Sequence, residues 1–169
     1  MKNNATESLC RWRRRALGAL GALMIAASAL AVTASVASAE TLCNSSSQAN
    51  TCMTIVGPGQ PGVKLVHVGI DVYMSQQDAQ AIIDGGGWFW VVVYGADPGN
   101  DQYLFPLPIK EGWPAAGVTS LSAEFETLVG QSELDENVGR DEVYARILLF
   151  DPRTGLTRTF FTPTFYHWY

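Results

Sequence analysis

Residues 63–74 read VKLVHVGIDVYM, and their pattern gives the first indication of the fold class. Apolar side chains occupy every second position from Val66 to Met74, and the positions between them include His67 and Asp71. Successive side chains of a β-strand point to opposite faces, so this period of two predicts a half-buried strand.

Further strands are predicted on both sides of this stretch. Residues 121–129 alternate in the same way, and residues 88–94 (WFWVVVY) are apolar on both faces, which is typical of a central strand. The turn sequence DPRTG, residues 151–155, separates two strands and predicts a hairpin. A short strand is expected near residues 103–105, and a Pro-rich loop follows it at residues 106–117.

One helix is predicted, near residues 76–84. Ser75 suits the N-cap position and Asp78 the first turn, while three glycines at 85–87 end the helix. A single helix cannot supply the crossovers of a parallel sheet. The sequence therefore predicts an all-β fold, an antiparallel β-sandwich of six to eight strands over residues 63–169.

The first 39 residues have the three parts of a cleavable signal peptide. The basic sequence RWRRR at 11–15 precedes an uncharged apolar run, and Ala37-Ser38-Ala39 supplies small residues before a cleavage site. Cleavage after Ala39 is expected; a retained membrane anchor and twin-arginine export are the alternatives. The predicted location is the extracellular space or cell envelope.

The predicted mature chain is acidic. Six Lys and Arg residues and fifteen Asp and Glu residues follow residue 39, a net charge of −9. This charge disfavours a nucleic-acid partner, because binding to phosphates requires basic residues. We expect a monomer that has no membrane contact after cleavage.

Two cysteines, Cys43 and Cys52, remain after cleavage and predict a disulfide in an oxidising compartment. The bond would close the polar stretch at 44–51, which we interpret as a loop, and would tie residues 40–62 into an N-terminal segment before the β-domain.

Catalytic motifs are sparse in this sequence. There is no Gly-x-Ser-x-Gly motif, and His67 and His167 are the two histidines. His67 and Asp71 share a strand face, and Glu124 and Glu126 form a carboxylate pair on another strand. We interpret both sets as solvent-facing, and an extracellular hydrolase that uses them is the alternative function.

Acidic loops suggest a second alternative, a calcium-stabilised domain. The loops at residues 97–101 and 130–141 are expected at the same end of the sandwich, where carboxylates could supply oxygen ligands for calcium. The candidate ligands are Asp97, Asp101, Asp135 and Asp141. No other cofactor is predicted.

Aromatic residues make up seventeen of the 130 residues after Ala39. We expect Trp88 and Trp90 to pack between the sheets, and Trp113, Tyr166 and Trp168 to form the surface that contacts a ligand. The predicted function is that of a secreted, non-catalytic binding domain whose partner is an extracellular carbohydrate or a protein, including a protease if the domain is an inhibitor.

Overall fold

The structure, a computed structural model, describes residues 39–97, 99–135 and 141–167. The predicted signal peptide lies outside the described residues except for Ala39, and so does Trp168. The described part of the chain is mostly β-structure, with two antiparallel sheets and one α-helix. The prediction of a mainly β, antiparallel fold with one helix is confirmed. Within these residues, no helix has the length and apolar character needed to cross a membrane.

The first sheet is built around the strand with the alternating pattern. Its strands are β1 (Glu40–Ser45), β2 (Ala49–Val56), β3 (Val63–Tyr73), β6 (Ala115–Ala116) and β7 (Ser120–Gly130). Their order across the sheet is β1, β2, β3, β7, β6, and all neighbours are antiparallel. The alternation of buried and half-exposed residues along β3 follows the period of two in the sequence.

The second sheet is organised by one long strand. Its strands are β4 (Trp88–Gly95), β5 (Gln102–Leu107), β8 (Asp141–Asp151), β9 (Leu156–Phe161) and β10 (Phe165–His167). Strand β8 pairs with β4 on one side, and with β10 and β9 in succession on the other. The predicted β8–β9 hairpin is confirmed, with Gly155 at a φ of 70°, a conformation that glycine adopts without strain.

The inward faces of the two sheets contribute to one hydrophobic cluster, so the arrangement is sandwich-like. At its centre Phe125 of β7 is 1% exposed and meets Phe89 of β4 edge-on, with ring centroids 6.0 Å apart. The helix α1, Gln76–Asp84, adds Ala79 and Ile82 to the same cluster. The apolar alternation in both sheets is therefore satisfied by a shared core.

The helix begins and ends where its sequence predicts. The hydroxyl oxygen of Ser75 accepts a hydrogen bond from the backbone N–H of Asp78 at 3.1 Å, which caps the first turn. At the other end, Gly87 brings the chain into β4 where there is no room for a side chain. A Cβ at that position would lie 2.8 Å from the carbonyl oxygen of Ile82 and 3.0 Å from that of Phe150.

The N-terminal hairpin differs from its predicted form. The disulfide between Cys43 and Cys52 is present, and the two residues pair directly across β1 and β2. Residues 44–51, however, are not a loop, because β1 extends to Ser45 and β2 begins at Ala49. Strand β2 pairs with β3 along its whole length and buries every second side chain, so pairing in the sheet outweighs the polar composition.

Between Val63 and His167 the described residues contain eight strands, β3 to β10, which agrees with the six to eight predicted for residues 63–169. The N-terminal hairpin adds two further strands, β1 and β2, in residues predicted to form a separate segment. Two of the eight strands in the predicted domain, β6 and β10, have only two or three residues, which carry too little pattern to be predicted.

Thr162 joins β9 to β10 through a buried hydroxyl group. Its Oγ1 accepts a hydrogen bond from the backbone N–H of Ala145 at 2.8 Å, and its own N–H donates to the carbonyl of Ala145. The Thr162 hydroxyl thus takes the place of a backbone carbonyl as the partner of the Ala145 N–H, between β9 and β10 on the same edge of β8.

Substituting Thr162→Val is expected to lower the free energy of unfolding by about 1–2 kcal/mol, because the buried N–H of Ala145 loses its acceptor. Urea denaturation of the variant measures the change. Thr162→Ser should keep most of the stability, and Thr157→Val, at an exposed position of β9, should leave it unchanged. Equal stability of Thr162→Val and Thr162→Ser would contradict this role of the hydroxyl.

Candidate functional site

An aromatic surface covers the outward side of the second sheet. The odd-numbered positions of β4, from Phe89 to Val93, pack toward the core, so the even-numbered positions face outward. Residues paired directly across an antiparallel ladder share a face, and the registers place eight aromatic side chains on this one. They are Trp88, Trp90, Tyr94, Tyr103, Tyr144, Phe150, Phe161 and Tyr166. We call this surface the aromatic face.

Cross-strand ring contacts hold much of the aromatic face in place. Trp88 and Phe150 are stacked, with centroids 5.5 Å apart and planes inclined by 22°. Tyr94 and Tyr144 are stacked in the same way at 5.7 Å and 17°, and Tyr103 meets Tyr94 edge-on at 6.2 Å. Each contact of this kind contributes about 0.5–1.5 kcal/mol beyond the burial of its area. The rings therefore form an ordered surface.

Several of these side chains are accessible to a partner. Trp90 is 53% exposed, Tyr103 54% and Phe161 50%. Trp90 lies opposite Leu148 in the ladder, beside the stacked pair of Trp88 and Phe150. Single exposed apolar residues are ordinary on protein surfaces, whereas a group of neighbouring ones on one face is typical of interaction sites.

Two tyrosines of the aromatic face bind charged side chains, Arg146 and Asp101. The guanidinium of Arg146 donates a hydrogen bond to the Tyr94 hydroxyl at 2.5 Å and lies 4.8 Å from the centroid of that ring. The Tyr144 hydroxyl donates to the Asp101 carboxylate at 2.7 Å. Burial, together with this hydrogen bond, raises the pKa of Tyr144 to about 12, so the phenol remains a donor at neutral pH.

The positions of Trp88 and Trp90 correct the expectation that they pack between the sheets, since they are 46% and 53% exposed. Strand β4 is apolar on both faces, and its pattern cannot show which face points inward. Side chains alternate along β4, so Trp88 and Trp90 share the face opposite to Val91 and Val93, and the valine face is the one that packs against the first sheet.

The three predicted ligand-contacting residues do not share one surface in the described chain. Tyr166 of β10 belongs to the aromatic face and is 48% exposed. Trp113 is half-buried in the loop before β6, on the side of the first sheet. Trp168 lies outside the described residues. Arg146 and Tyr144 were not predicted as site residues, although both occupy alternate positions of β8.

The outer face of the first sheet brings together two sets of residues that the sequence treats separately. His67 Nε2 lies 3.8 Å from an oxygen of Glu124, and Asp71 accepts a hydrogen bond from the Ser122 hydroxyl at 2.5 Å. The contacts arise because β3 and β7 are neighbours and His67 pairs with Glu126 in the register.

The same carboxylates also interact with a lysine. Lys110 Nζ lies 3.3 Å from Glu126 and 3.8 Å from Glu124. The side chains of His67 and Glu124 are 30% and 35% exposed, so the group lies on an open sheet face. This is the solvent-facing arrangement that the alternation predicts, with partners on the adjacent strand.

The acidic residues proposed as calcium ligands lie at the ends of several strands. Asp97 and Asp101 flank the connection from β4 to β5, and Asp141 begins β8 beside it, because Gly95 pairs with Val143. Asp135 follows the 3₁₀ turn after β7. Among residues 39–97, 99–135 and 141–167, no three His, Cys, Asp or Glu side chains form a group that could hold a metal ion. In these residues, Asp101 instead contacts Tyr144.

Comparison with known proteins gives no relative for this arrangement: no protein-family model, curated protein or solved structure matches the chain.

Proposed function

We propose that the chain is a secreted, non-catalytic binding domain with a β-sandwich fold, and that its partner docks on the aromatic face. The observation that carries this proposal is the run of half-exposed rings on one sheet face, with Trp90, Tyr103 and Phe161 about half exposed. Tryptophan and tyrosine dominate binding energies because they bury a large area at little entropic cost. The disulfide is compatible with an extracellular location, which supports export by the N-terminal segment.

Of the two predicted classes of partner, the composition of the aromatic face favours carbohydrate. Its apolar ring surfaces are interleaved with hydroxyl groups from Tyr94, Tyr103, Tyr144 and Tyr166. A sugar ring has apolar C–H faces bordered by hydroxyl groups, so it can stack on a ring and exchange hydrogen bonds with a nearby phenol. A protein partner is the competing outcome of the test.

Trp90→Ala is expected to weaken binding to the partner roughly tenfold or more, which corresponds to about 1.4 kcal/mol. The full chain is sedimented with insoluble polysaccharides, including cellulose, chitin and a β-glucan, and the bound fraction is measured against polymer concentration. Leu128→Ala is the matched control, because Leu128 is 60% exposed on the outer face of the other sheet.

Unchanged binding by Trp90→Ala, or equal losses in Trp90→Ala and Leu128→Ala, would contradict the assignment of the aromatic face. Binding only to an extracellular protein, with the same dependence on Trp90, would keep the aromatic face as the site and replace carbohydrate by protein as the partner.

A further inference from the structure

A groove adjoins the aromatic face at the free edge of β9. One wall is the turn of the β1–β2 hairpin, with Asn44, Ser46 and Gln48, and the other is the end of β9, with Thr159 and Phe161. Phe161 belongs to both the groove and the aromatic face. A ligand that lies on the aromatic face can therefore continue into the groove.

The groove is lined entirely by uncharged residues. Asn44, Gln48 and Thr159 are exposed, and they present amide and hydroxyl groups to solvent. These groups both donate and accept hydrogen bonds, as sugar hydroxyls do. The absence of charged groups from this lining contrasts with a sequence whose mature part has a predicted net charge of −9.

Internal hydrogen bonds hold both walls of the groove. The Ser46 hydroxyl donates to the carbonyl of Ala49 at 3.1 Å and accepts from the N–H groups of Gln48 and Ala49, which fixes the hairpin turn. Thr51 reaches across from β2, and its hydroxyl donates to the backbone carbonyl of Phe161 at 2.9 Å. A groove with ordered walls requires little loss of entropy on binding.

The bond from Thr51 also argues against a peptide as the occupant. A peptide that adds a strand to a sheet edge pairs with the unpaired N–H and C=O groups of that edge. The Phe161 carbonyl, at the end of β9, already accepts the Thr51 hydroxyl. The groove offers side-chain amides, a hydroxyl and an aromatic ring as binding groups.

Charge decides between neutral and acidic sugars. The groove lining contains no Lys or Arg, and the guanidinium of Arg146 on the adjoining aromatic face is engaged by Tyr94. An acidic polymer would therefore meet no cation in the groove lining itself, since the guanidinium groups of Arg146 and Arg158 lie beside the groove, against the rings of Tyr94 and Phe160. A neutral polymer requires no cation there.

We propose that the groove between the β1–β2 turn and β9 is a subsite for a neutral polysaccharide, whose chain continues from the aromatic face across Phe161. This inference rests on the proposed function, because it assigns a ligand class and a second contact region to the same binding surface.

The test measures binding of the full chain to neutral polymers, a soluble β-glucan and a mannan, and to acidic polygalacturonate by affinity electrophoresis. The double variant Asn44→Ala/Gln48→Ala should bind the preferred neutral polymer at least fivefold more weakly. Thr159→Ala, on the opposite wall, should weaken the same binding in a second, independent variant. Gln60→Ala is the control, because Gln60 is exposed in the β2–β3 turn, away from the groove lining. This variant should bind as tightly as the unmodified chain.

Wild-type affinity in both groove variants, with binding lost in Trp90→Ala, would overturn the subsite and leave the proposed function intact. Preferential binding of polygalacturonate would overturn the neutral ligand class. If the chain binds no neutral polymer, the subsite proposal is wrong. The proposed function is then tested separately, by whether Trp90→Ala weakens binding to a protein partner. Melting curves of each variant show that a loss of affinity is not a loss of fold.

Discussion

Phe125→Ala is expected to lower the free energy of unfolding by about 3–5 kcal/mol, the cost of truncating a fully buried aromatic residue. Phe125 lies in the middle of β7, is 1% exposed and contacts Phe89 of the opposite sheet. Its removal leaves a cavity where the two sheets meet and deletes an aromatic contact between them. Urea denaturation followed by circular dichroism measures the loss.

Phe161→Ala provides a matched comparison, because Phe161 is 50% exposed and lies on the outer side of the second sheet. Its expected cost is less than about 1.5 kcal/mol. Phe125→Leu keeps most of the buried volume and should cost about 1–2 kcal/mol, which preserves a measurable variant if Phe125→Ala does not fold. Equal costs for Phe125→Ala and Phe161→Ala would show that the sheets do not share a core at Phe125.

Asp151→Asn is expected to lower the free energy of unfolding at neutral pH by about 2–3 kcal/mol, because hydrogen bonds to a charged carboxylate are lost. The Asp151 side chain is only 8% exposed, and Arg153 donates to it from Nε at 3.0 Å, from Nη2 at 2.9 Å and from its backbone N–H at 3.0 Å. The same guanidinium donates to Asp78 in the first turn of α1 at 2.6 Å. Arg153 thereby connects the β8–β9 turn to the helix.

This cluster makes stability depend on pH in the acid range. The hydrogen bonds from Arg153 lower the pKa of Asp151 despite its burial, and the hydroxyl of Ser75, followed by Arg153, lowers the pKa of Asp78. A carboxylate with a depressed pKa binds fewer protons in the folded state than in the unfolded state. Its contribution is complete above the ordinary aspartate pKa of 3.8 and is lost as the pH falls through the depressed folded value.

Denaturation at a series of pH values from 7 to 2 tests this dependence. Asp151→Asn should show a shallower loss of stability in acid than the unmodified chain. Asp78→Asn should have the smaller effect, since the Asp78 side chain is 52% exposed and solvent screens its charge. If the free energy of unfolding falls equally steeply in acid for Asp151→Asn and the unmodified chain, other groups are responsible for the acid sensitivity.

The local pattern of the chain predicts much of the secondary structure. The alternation in residues 63–74 becomes β3, the Ser75 cap and the following glycines bound the helix, and DPRTG becomes the turn between β8 and β9. These features depend on neighbours in the sequence, so they can be predicted without knowledge of the fold. The N-terminal hairpin was not predicted, because the polar residues of β1 and β2 are held as strands by their pairing in the sheet, β1 with β2 and β2 with β3, rather than by their own composition.

The candidate site depends on contacts that sequence pattern does not contain. The aromatic face combines side chains from β4, β5, β8, β9 and β10, which share a surface only through their registers. Asp78 and Arg153 are 75 residues apart in the chain and meet only because the helix lies beside the β8–β9 turn.

What the sequence determined by itself was the alternation of β3 and β7, the ends of the helix and the cysteine pair, because each depends on short-range stereochemistry or on counting. Tertiary structure alone decided which side of β4 faces inward. Both sides of that strand are apolar, so alternation alone does not choose between them, and it is packing against the first sheet that buries Val91 and Val93 and leaves Trp88 and Trp90 at the surface.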